Sequence, residues 1–470
     1  MFLSDIIIHN VHSLIIIYGV HIMKIKIVKD FKLTPVQILA IGFAIVIVTG
    51  AILLNLPVAS QTGERTPFID CFFVSTSATC VTGLITVDTG THWSYFGKTV
   101  IMCLIEIGGL GFMSFATLIA LVLGKRITLK ERLVMQEALN SFSLQGLVKM
   151  AKYVLMFTFS VQIAGAALLA TQFIPQFGLA KGLYYSIFHS VSAFCNAGFD
   201  LFGNFQSLTA YANNTVVILT ISALIIIGGL GFYVWQEIYN FKGLKKLSLH
   251  SKLALSVTAI LIVVGAILMF VFEYNNPATI ENMSFKGKIL SSIFASVSPR
   301  TAGFNSVSTS DMTTAGRFLT IILMFIGGSS GSTAGGIKVT TAGLLFMTVL
   351  SIVKGREDTE IFKKRIPKDT IYKSLAITVI GLGLVILVTM VLSITEKGAS
   401  LEYLLYEATS AFGTVGLTLG LTTKLTAIGK LVIAFTMYAG RVGPLTLALA
   451  LSRKKTSNTI KYPEDKVLVG

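Results

Sequence analysis

The sequence predicts an all-α polytopic membrane protein, and three observations carry that prediction. Apolar residues make up 53% of the 470, and charged residues only 13%. A soluble domain carries about 25% charged residues. Mean hydropathy is +0.78. The apolar residues fall in runs of about 20, the length that crosses ~30 Å of hydrocarbon as a helix, not in the ~10-residue alternating segments of a membrane barrel. A water-soluble enzyme and a disordered chain are excluded by the same balance.

Eight apolar segments can be drawn in order: residues 37–57, 99–123, 150–174, 215–239, 253–273, 317–351, 371–394 and 428–452. Of the 38 Lys and Arg, 26 fall in five stretches. These run from Lys24 to Lys32, Lys125 to Lys152, Lys242 to Lys252, Lys354 to Lys373 and Arg453 to Lys466. With eight spans all five stretches lie on one side, which the positive-inside rule makes the cytoplasm. An N-terminal tail (1–36) and a C-terminal tail (453–470) are then both cytoplasmic. The net charge of +16 is thereby explained without nucleic acid. Residues 1–22 hold a short apolar patch, Leu14–Tyr18, among His9, His12 and His21. Met23 before Lys24-Ile25-Lys26 is the more natural start, so 1–22 are expected to be an upstream extension or an unstructured tail.

The spans pair into four units: 37–123, 150–239, 253–351 and 371–452. Each connector carries a short apolar piece that aligns on a glycine. The four read Ser77-Ala78-Thr79-Cys80-Val81-Thr82-Gly83, Ser192-Ala193-Phe194-Cys195-Asn196-Ala197-Gly198, Ser298-Pro299-Arg300-Thr301-Ala302-Gly303 and Ser410-Ala411-Phe412-Gly413-Thr414-Val415-Gly416. Their glycines are 115, 105 and 113 residues apart. A second glycine pattern follows 28, 33, 28 and 27 residues later, at Gly111, Gly231, Gly331 and Gly443. Two landmarks kept in register four times define an internal repeat. The unit is helix, short half-helix, extended loop, helix. The half-helices, about 68–79, 183–194, 288–298 and 401–412, are too short to span and must re-enter from outside. Irregular backbone at that depth survives only in protein or beside water. Four such loops converge most simply on one central, pseudo-fourfold ion pore.

An ion leaving water needs its hydration shell replaced, and rings of backbone carbonyls do this for K⁺. Aiming successive carbonyls at one axis needs backbone angles that Gly reaches without penalty. Each half-helix also points the negative end of its dipole inward. The candidate K⁺ filter is therefore Val81, Thr82, Gly83; Asn196, Ala197, Gly198; Thr301, Ala302, Gly303; and Thr414, Val415, Gly416. Only Thr414-Val415-Gly416 keeps the first three letters of the channel filter TVGYG, and no copy continues as Tyr-Gly. A filter shorter than a channel's follows, with fewer coordinating layers. Close helix packing is the rival reading of these glycines, and it suits the second set better than the first.

Together with Gly-Gly-Ser-Ser-Gly-Ser-Thr-Ala-Gly-Gly-Ile-Lys at 327–338 and Gly440-Arg441-Val442-Gly443-Pro444, these segments resemble the Trk/Ktr/HKT superfamily of potassium transporters. The likeness is greatest to the membrane subunit of the bacterial Ktr system and covers about 33–470. It implies a four-repeat pore in one subunit, a homodimer, a cytosolic nucleotide-binding regulatory ring and Na⁺ as activator. Glycine in all four loops matches the potassium-selective members. The resemblance also assigns a gate: the loop Gly327, Gly328, Ser329, Ser330, Gly331, Ser332, Thr333, Ala334, Gly335 and Gly336, with Lys338 and with Arg441 below the filter. Five glycines in a helix interior cost about 1 kcal/mol each relative to Ala, so span six should unwind there. A close helix crossing is the alternative reading.

Intramembrane charges are functional candidates by default. Glu106 and Arg441 lie 23 and 25 residues after their filter glycines, Gly83 and Gly416. They should sit at similar depth and are a candidate ion pair. Lys338 is the rival partner, and a Glu106 facing a wet cavity or protonated is the other outcome. Arg300 is expected to brace the third loop from behind. Asp88 and Asp200, near the outer mouth, either concentrate cations or are solvated loop charges. The four cysteines, Cys71, Cys80, Cys103 and Cys195, form no CxxC pair and read as small buried hydrophobes. Gly331 to Lys338 lacks the ending and the preceding strand of a phosphate-binding loop. No nucleophile–base set supports an enzyme. A secondary transporter would show two inverted halves instead of four co-oriented units.

Overall fold

A computed structural model describes residues 34–111, 129–138, 147–241, 243, 246–443, 446 and 463. Residues 1–33 of the expected N-terminal tail, all of the C-terminal tail but residue 463, the end of the second span (112–123), most of the last part of the eighth and the basic clusters at 24–32, 125–126 and 453–466 lie outside the described residues, and the first described helix begins at Pro35, inside the expected tail. The helices are, in order, α1 (Pro35–Leu54), α2 (Phe68–Thr79), α3 (Thr89–His92), α4 (Tyr95–Leu110), α5 (Leu129–Ala138), α6 (Leu147–Phe177), α7 (Leu179–Phe194) and α8 (Thr215–Gly229). They continue as α9 (Phe232–Tyr239), α10 (Leu249–Glu273), α11 (Phe285–Val297), α12 (Thr314–Phe325) and α13 (Val339–Val353). A small hairpin, β1 (Glu360–Ile361) and β2 (Lys364–Arg365), leads to α14 (Lys368–Thr395), α15 (Leu401–Gly413) and α16 (Ala427–Val442).

Polar caps set the helix starts. Thr34 and Gln37 form a capping box on α1. The side chains of Ser94, Asn214, Ser248, Ser284, Thr313 and Thr426 each accept a first-turn N–H of α4, α8, α10, α11, α12 and α16. Buried carboxylates tie the end of a long helix to the cap of the helix that follows the intervening short one. Glu273 at the end of α10 accepts from Thr313 N (2.9 Å), and Glu396 after α14 accepts from Thr426 N (3.0 Å).

The chain is a mostly helical, multi-span membrane protein. By length and apolarity, α1, α6, α10 and α14 each suffice to cross a bilayer. Their outer faces expose hydrocarbon, such as Ile45, Ile163, Val263 and Leu387. The other four expected spans are not simple helices. Residues 215–239 break into α8 and α9, bent by 98°. The break falls at Gly231, whose φ is +94°, and the carbonyl of Gly229 accepts instead from Ser329 N at 2.8 Å. Residues 317–351 break into α12 and α13. The described part of the second span ends at Gly111 (φ +81°) and that of the eighth at Gly443 (φ +96°).

Each long helix packs on the short helix that follows it: α1 on α2, α6 on α7, α10 on α11 and α14 on α15. Each later helix packs on the next short one: α4 on α7, α8 on α11, α12 on α15, and α16 back on α2. The order is cyclic. Lys430 of α16 and Asp70 of α2 close it with an ion pair of 2.6 Å.

Candidate ion pathway

The short helices α2, α7, α11 and α15 end in the same backbone device. Val81, Asn196, Thr301 and Thr414 all have positive φ (58°, 60°, 77° and 50°). Two residues on, Gly83, Gly198, Gly303 and Gly416 have positive φ again (93°, 70°, 80° and 94°). Positive φ is costly for a β-branched residue such as Val81, and such strain persists only where surroundings over-determine it. The surroundings are visible. The N–H groups of Thr82, Ala197, Ala302 and Val415 donate to the carbonyls of Ser77, Ser192, Ser298 and Ser410 at 2.8–2.9 Å. The same serines use their hydroxyls. Gly83 N donates to Ser77 Oγ (3.0 Å) and Gly416 N to Ser410 Oγ (3.1 Å). Ser192 Oγ donates to the Phe199 carbonyl at 2.7 Å, and Ser298 Oγ to that of Phe304.

The four turns face one another in a ring. A methyl on Gly83 would strike the carbonyl of Ala197, and one on Gly303 that of Val415. On Gly198 it would lie 2.7 Å from the Ala302 carbonyl, and on Gly416 it would strike that of Thr82. Each glycine thus faces a carbonyl of the next turn, and the fourth faces the first. Above the ring opens a cavity of about 730 Å³, lined by all four glycines with Asp200, Asn305 and other polar side chains.

The second landmarks, Gly111, Gly231, Gly331 and Gly443, all have positive φ (81°, 94°, 68° and 96°), and the glycines three residues before the first, second and fourth of them do the packing. A methyl on Gly108, Gly228 or Gly440 would collide with the carbonyl of Thr79, Phe194 or Phe412, at the C-terminal ends of α2, α7 and α15. These glycines let the later helices seat against the half-helix ends, a packing role.

Residues 326–338 are non-helical and lie under the turns. Gly327 N donates to the Ile337 carbonyl (2.8 Å), Thr333 N to that of Gly228 (3.3 Å), and Thr333 Oγ1 to that of Phe194 (3.2 Å). A methyl on Gly335 would strike Thr414 Oγ1, and one on Gly327 would lie 3.0 Å from Thr301 Cγ2. Two cations hold the loop carbonyls. Lys338 Nζ donates to Ala334 O at 2.6 Å, and the Arg441 guanidinium donates to the carbonyls of Thr333, Gly108 and Gly109.

Glu106 and Arg441 are not brought together. Glu106 Oε2 accepts from Gln162 Nε2 (2.8 Å) and Cys195 Sγ (3.5 Å), at the edge of an apolar cavity of about 340 Å³ between α4, α6 and α7. Arg441 reaches the same depth, because its carbonyl partners follow Glu106 by two and three residues, but from the other side of α4. Last-turn carbonyls of a helix are short of donors, and they claim the guanidinium before the carboxylate can. Lys338 does not pair with Glu106 either. Arg300 is buried and points back to Thr258 of α10 (3.4 Å). Asp88 is a linchpin: it accepts from Thr91 N (2.8 Å) and, across the outer loops, from Phe205 N (2.8 Å). Cys71, Cys80 and Cys195 are buried, whereas Cys103 is exposed on the outer face of α4, contrary to the sequence reading.

Sequence reasoning quoted the four serines without giving them work. Their place before every glycine was the available signal. Nothing in the sequence pointed to Asp70 and Lys430, which are 360 residues apart.

A multi-span helical protein whose buried backbone turns meet around one axis is built to pass something small through a membrane. A family model described as a cation transport protein, TrkH, matches residues 11–461. The chain is 47% identical over 454 residues to the potassium/sodium uptake protein NtpJ of Enterococcus hirae, covering 96% of this chain and 100% of that one. It is 43% identical to the Ktr system potassium uptake protein B of Bacillus subtilis, with the same coverage. The crystal structure of the potassium transporter TrkH from Vibrio parahaemolyticus superposes with a TM-score of 0.69 at 19% identity, over 90% of this chain and 86% of that one, a likeness of fold. The chain belongs to the TrkH family of cation transporters; it is a transporter and not an enzyme.

Proposed function

We propose that this protein takes up K⁺ across the bacterial cell membrane through a pore built by four co-oriented units with eight spans, both termini being cytoplasmic. The closed ring, in which every filter glycine abuts a carbonyl of the next turn, carries the reading. In it the carbonyls of Val81, Thr82, Asn196, Ala197, Thr301, Ala302, Thr414 and Val415, with the four glycines, replace the water around K⁺. Glycine is required because any side chain would occupy the neighbour's carbonyl position. Residues 327–336 are the gate. Arg441 and Lys338 pin that loop across the path and add positive charge that K⁺ must pass.

The names of two relatives support K⁺ as cargo, one of them jointly with Na⁺. The name of a Ktr system B protein also supports a multi-component system; its proposed form, a homodimer with a cytosolic nucleotide-binding ring and activation by Na⁺, is taken from the family resemblance. Radioactive rubidium uptake into proteoliposomes, competed with K⁺ and Na⁺, tests the reading. Rubidium should accumulate and K⁺ should compete better than Na⁺; absence of uptake by folded protein rejects the pore.

A further inference from the structure

Two of the four half-helices carry a buried titratable side chain at the same place, three residues before the bracing serine. Glu407 precedes Ser410 and His189 precedes Ser192. Both are fully buried, at 0% exposure. The ion pairs among the described residues include no cation for Glu407. Its carboxylate instead holds the chain that leaves the fourth turn: Oε2 accepts from Thr418 Oγ1 at 2.7 Å, and Oε1 accepts from the Thr422 hydroxyl. Thr418 is itself tied across the ring, its carbonyl accepting from Thr309 Oγ1 at 2.6 Å.

His189 does the same job with an imidazole. Nδ1 lies 2.7 Å from the Tyr185 carbonyl, which can only accept, so Nδ1 carries the proton. Nε2 is then free to accept from Leu201 N at 3.3 Å, three residues beyond Gly198. Phe202 stacks on the ring at 4.5 Å and fixes its plane. At the matching register the first and third half-helices offer only hydrocarbon, Val74 and Ala295. The cyclic order makes the second and fourth turns opposite one another. A carboxyl or an imidazole in an apolar interior is costly to keep unless its hydrogen bonds are used, and here both Glu407 bonds and the Nε2 bond of His189 go to the chain leaving a glycine turn.

We propose that Glu407 and His189 are filter-positioning residues, which tether the outgoing chain of the two opposite turns and so fix where the Gly416 and Gly198 carbonyls point. The proposal rests on the ring being the selectivity filter. A residue that only supports folding would change the amount of protein, whereas a positioning residue changes ion preference.

The experiment measures rubidium uptake and its inhibition by Na⁺ for the purified full chain in proteoliposomes, with folding checked by gel filtration. E407A, which removes both bonds, should lower the preference for K⁺ over Na⁺ by at least about tenfold, since each lost hydrogen bond to a charged group is on that scale, while E407Q, which keeps one acceptor, should stay within about threefold. V74A at the matching register of the first half-helix should leave the preference unchanged. If E407A does not fold, the double change T418V and T422V removes the same bonds from the far end and should give the same loss. Unchanged preference in folded E407A or in the double variant overturns the tether, as does an equal loss in V74A. G416S separates the two levels. If G416S shifts the preference and E407A does not, the filter stands and the tether fails; if G416S has no effect, the filter reading itself falls.

Discussion

The glycine turns and the glycine loop beneath them are both irregular backbone deep in the protein, yet they are held in opposite ways. Each turn is fixed from within: its serine, its own half-helix and a repeated pair of positive φ values. The loop at 326–338 is held in good part from outside. Within it lie the Ile326–Ile337 bridge, the bonds of Ser332 to Ser329 and Ala334, and that of Lys338 to Ala334; beyond these it depends on carbonyls of α8 and α7 and on Arg441. Structure that is braced locally keeps its shape when neighbours move. Structure that borrows its hydrogen bonds can be released by whatever moves the lender. The first suits a coordination site and the second a barrier.

The sharpest way to break this comparison is to remove the borrowed bonds. Deleting part of 328–336 should raise rubidium flux by tenfold or more with unchanged ion preference, the outcome expected of the proposed gate, which blocks and does not coordinate. Arg441→Gln should act in the same direction with a smaller rise. Lower flux through a folded deletion variant would mean that the loop belongs to the conducting path. The reciprocal change is in the turns. Gly416→Ser or Gly83→Ser should cut K⁺ preference by about tenfold and leave the protein assembled, because one of the four carbonyl sets is displaced. The measurement is Na⁺ competition against rubidium uptake.

A gentler probe removes a brace. Ser410→Ala or Ser77→Ala leaves a glycine N–H without its acceptor, which costs about 1 kcal/mol, or roughly fivefold in preference. An equal effect from Ser332→Ala, in the loop, would erase the distinction between the two regions. The smallest effect concerns the vestibule. Asp200 is set into its wall, and burial pushes the carboxyl up from 3.8 to about 7, against the opposing bonds from Phe202 and Gly203. It is neutral below that pH and anionic above it. Uptake from dilute K⁺ should therefore rise by about threefold as external pH passes through 7. Asp200→Asn should flatten the profile, and a profile unchanged by that substitution removes Asp200 as its source.

Much of the fold was legible because the same constraint is written four times. The half-helix boundaries at 68–79 and 401–412 agree with α2 (Phe68–Thr79) and α15 (Leu401–Gly413) to within a residue. The conformational demand for Gly83, Gly198, Gly303 and Gly416 could be read from spacing alone. What could not be read was azimuth. Residue counting put Glu106 and Arg441 at one height but could not say on which side of α4 each lies. Nor does hydropathy register the unmet carbonyls at a helix end, which decided the partner of Arg441. The bend at Gly231 was missed for a related reason. Apolar residues continue through it, and the backbone bonds that make it tolerable come from Ser329 and Gly331, about a hundred residues later in the chain.

The ring closes between the first turn and the last, at Gly416 against Thr82 and at Lys430 against Asp70. The polypeptide is made from the other end. Until the ribosome has delivered α15 and α16, the growing chain is an open arc with a quarter of its circumference missing and Asp70 without its lysine. Arg441, which clasps the loop at Thr333, arrives in the same final stretch. The ring and the contact that clasps the loop are therefore completed together, in the last of the described stretches to be made.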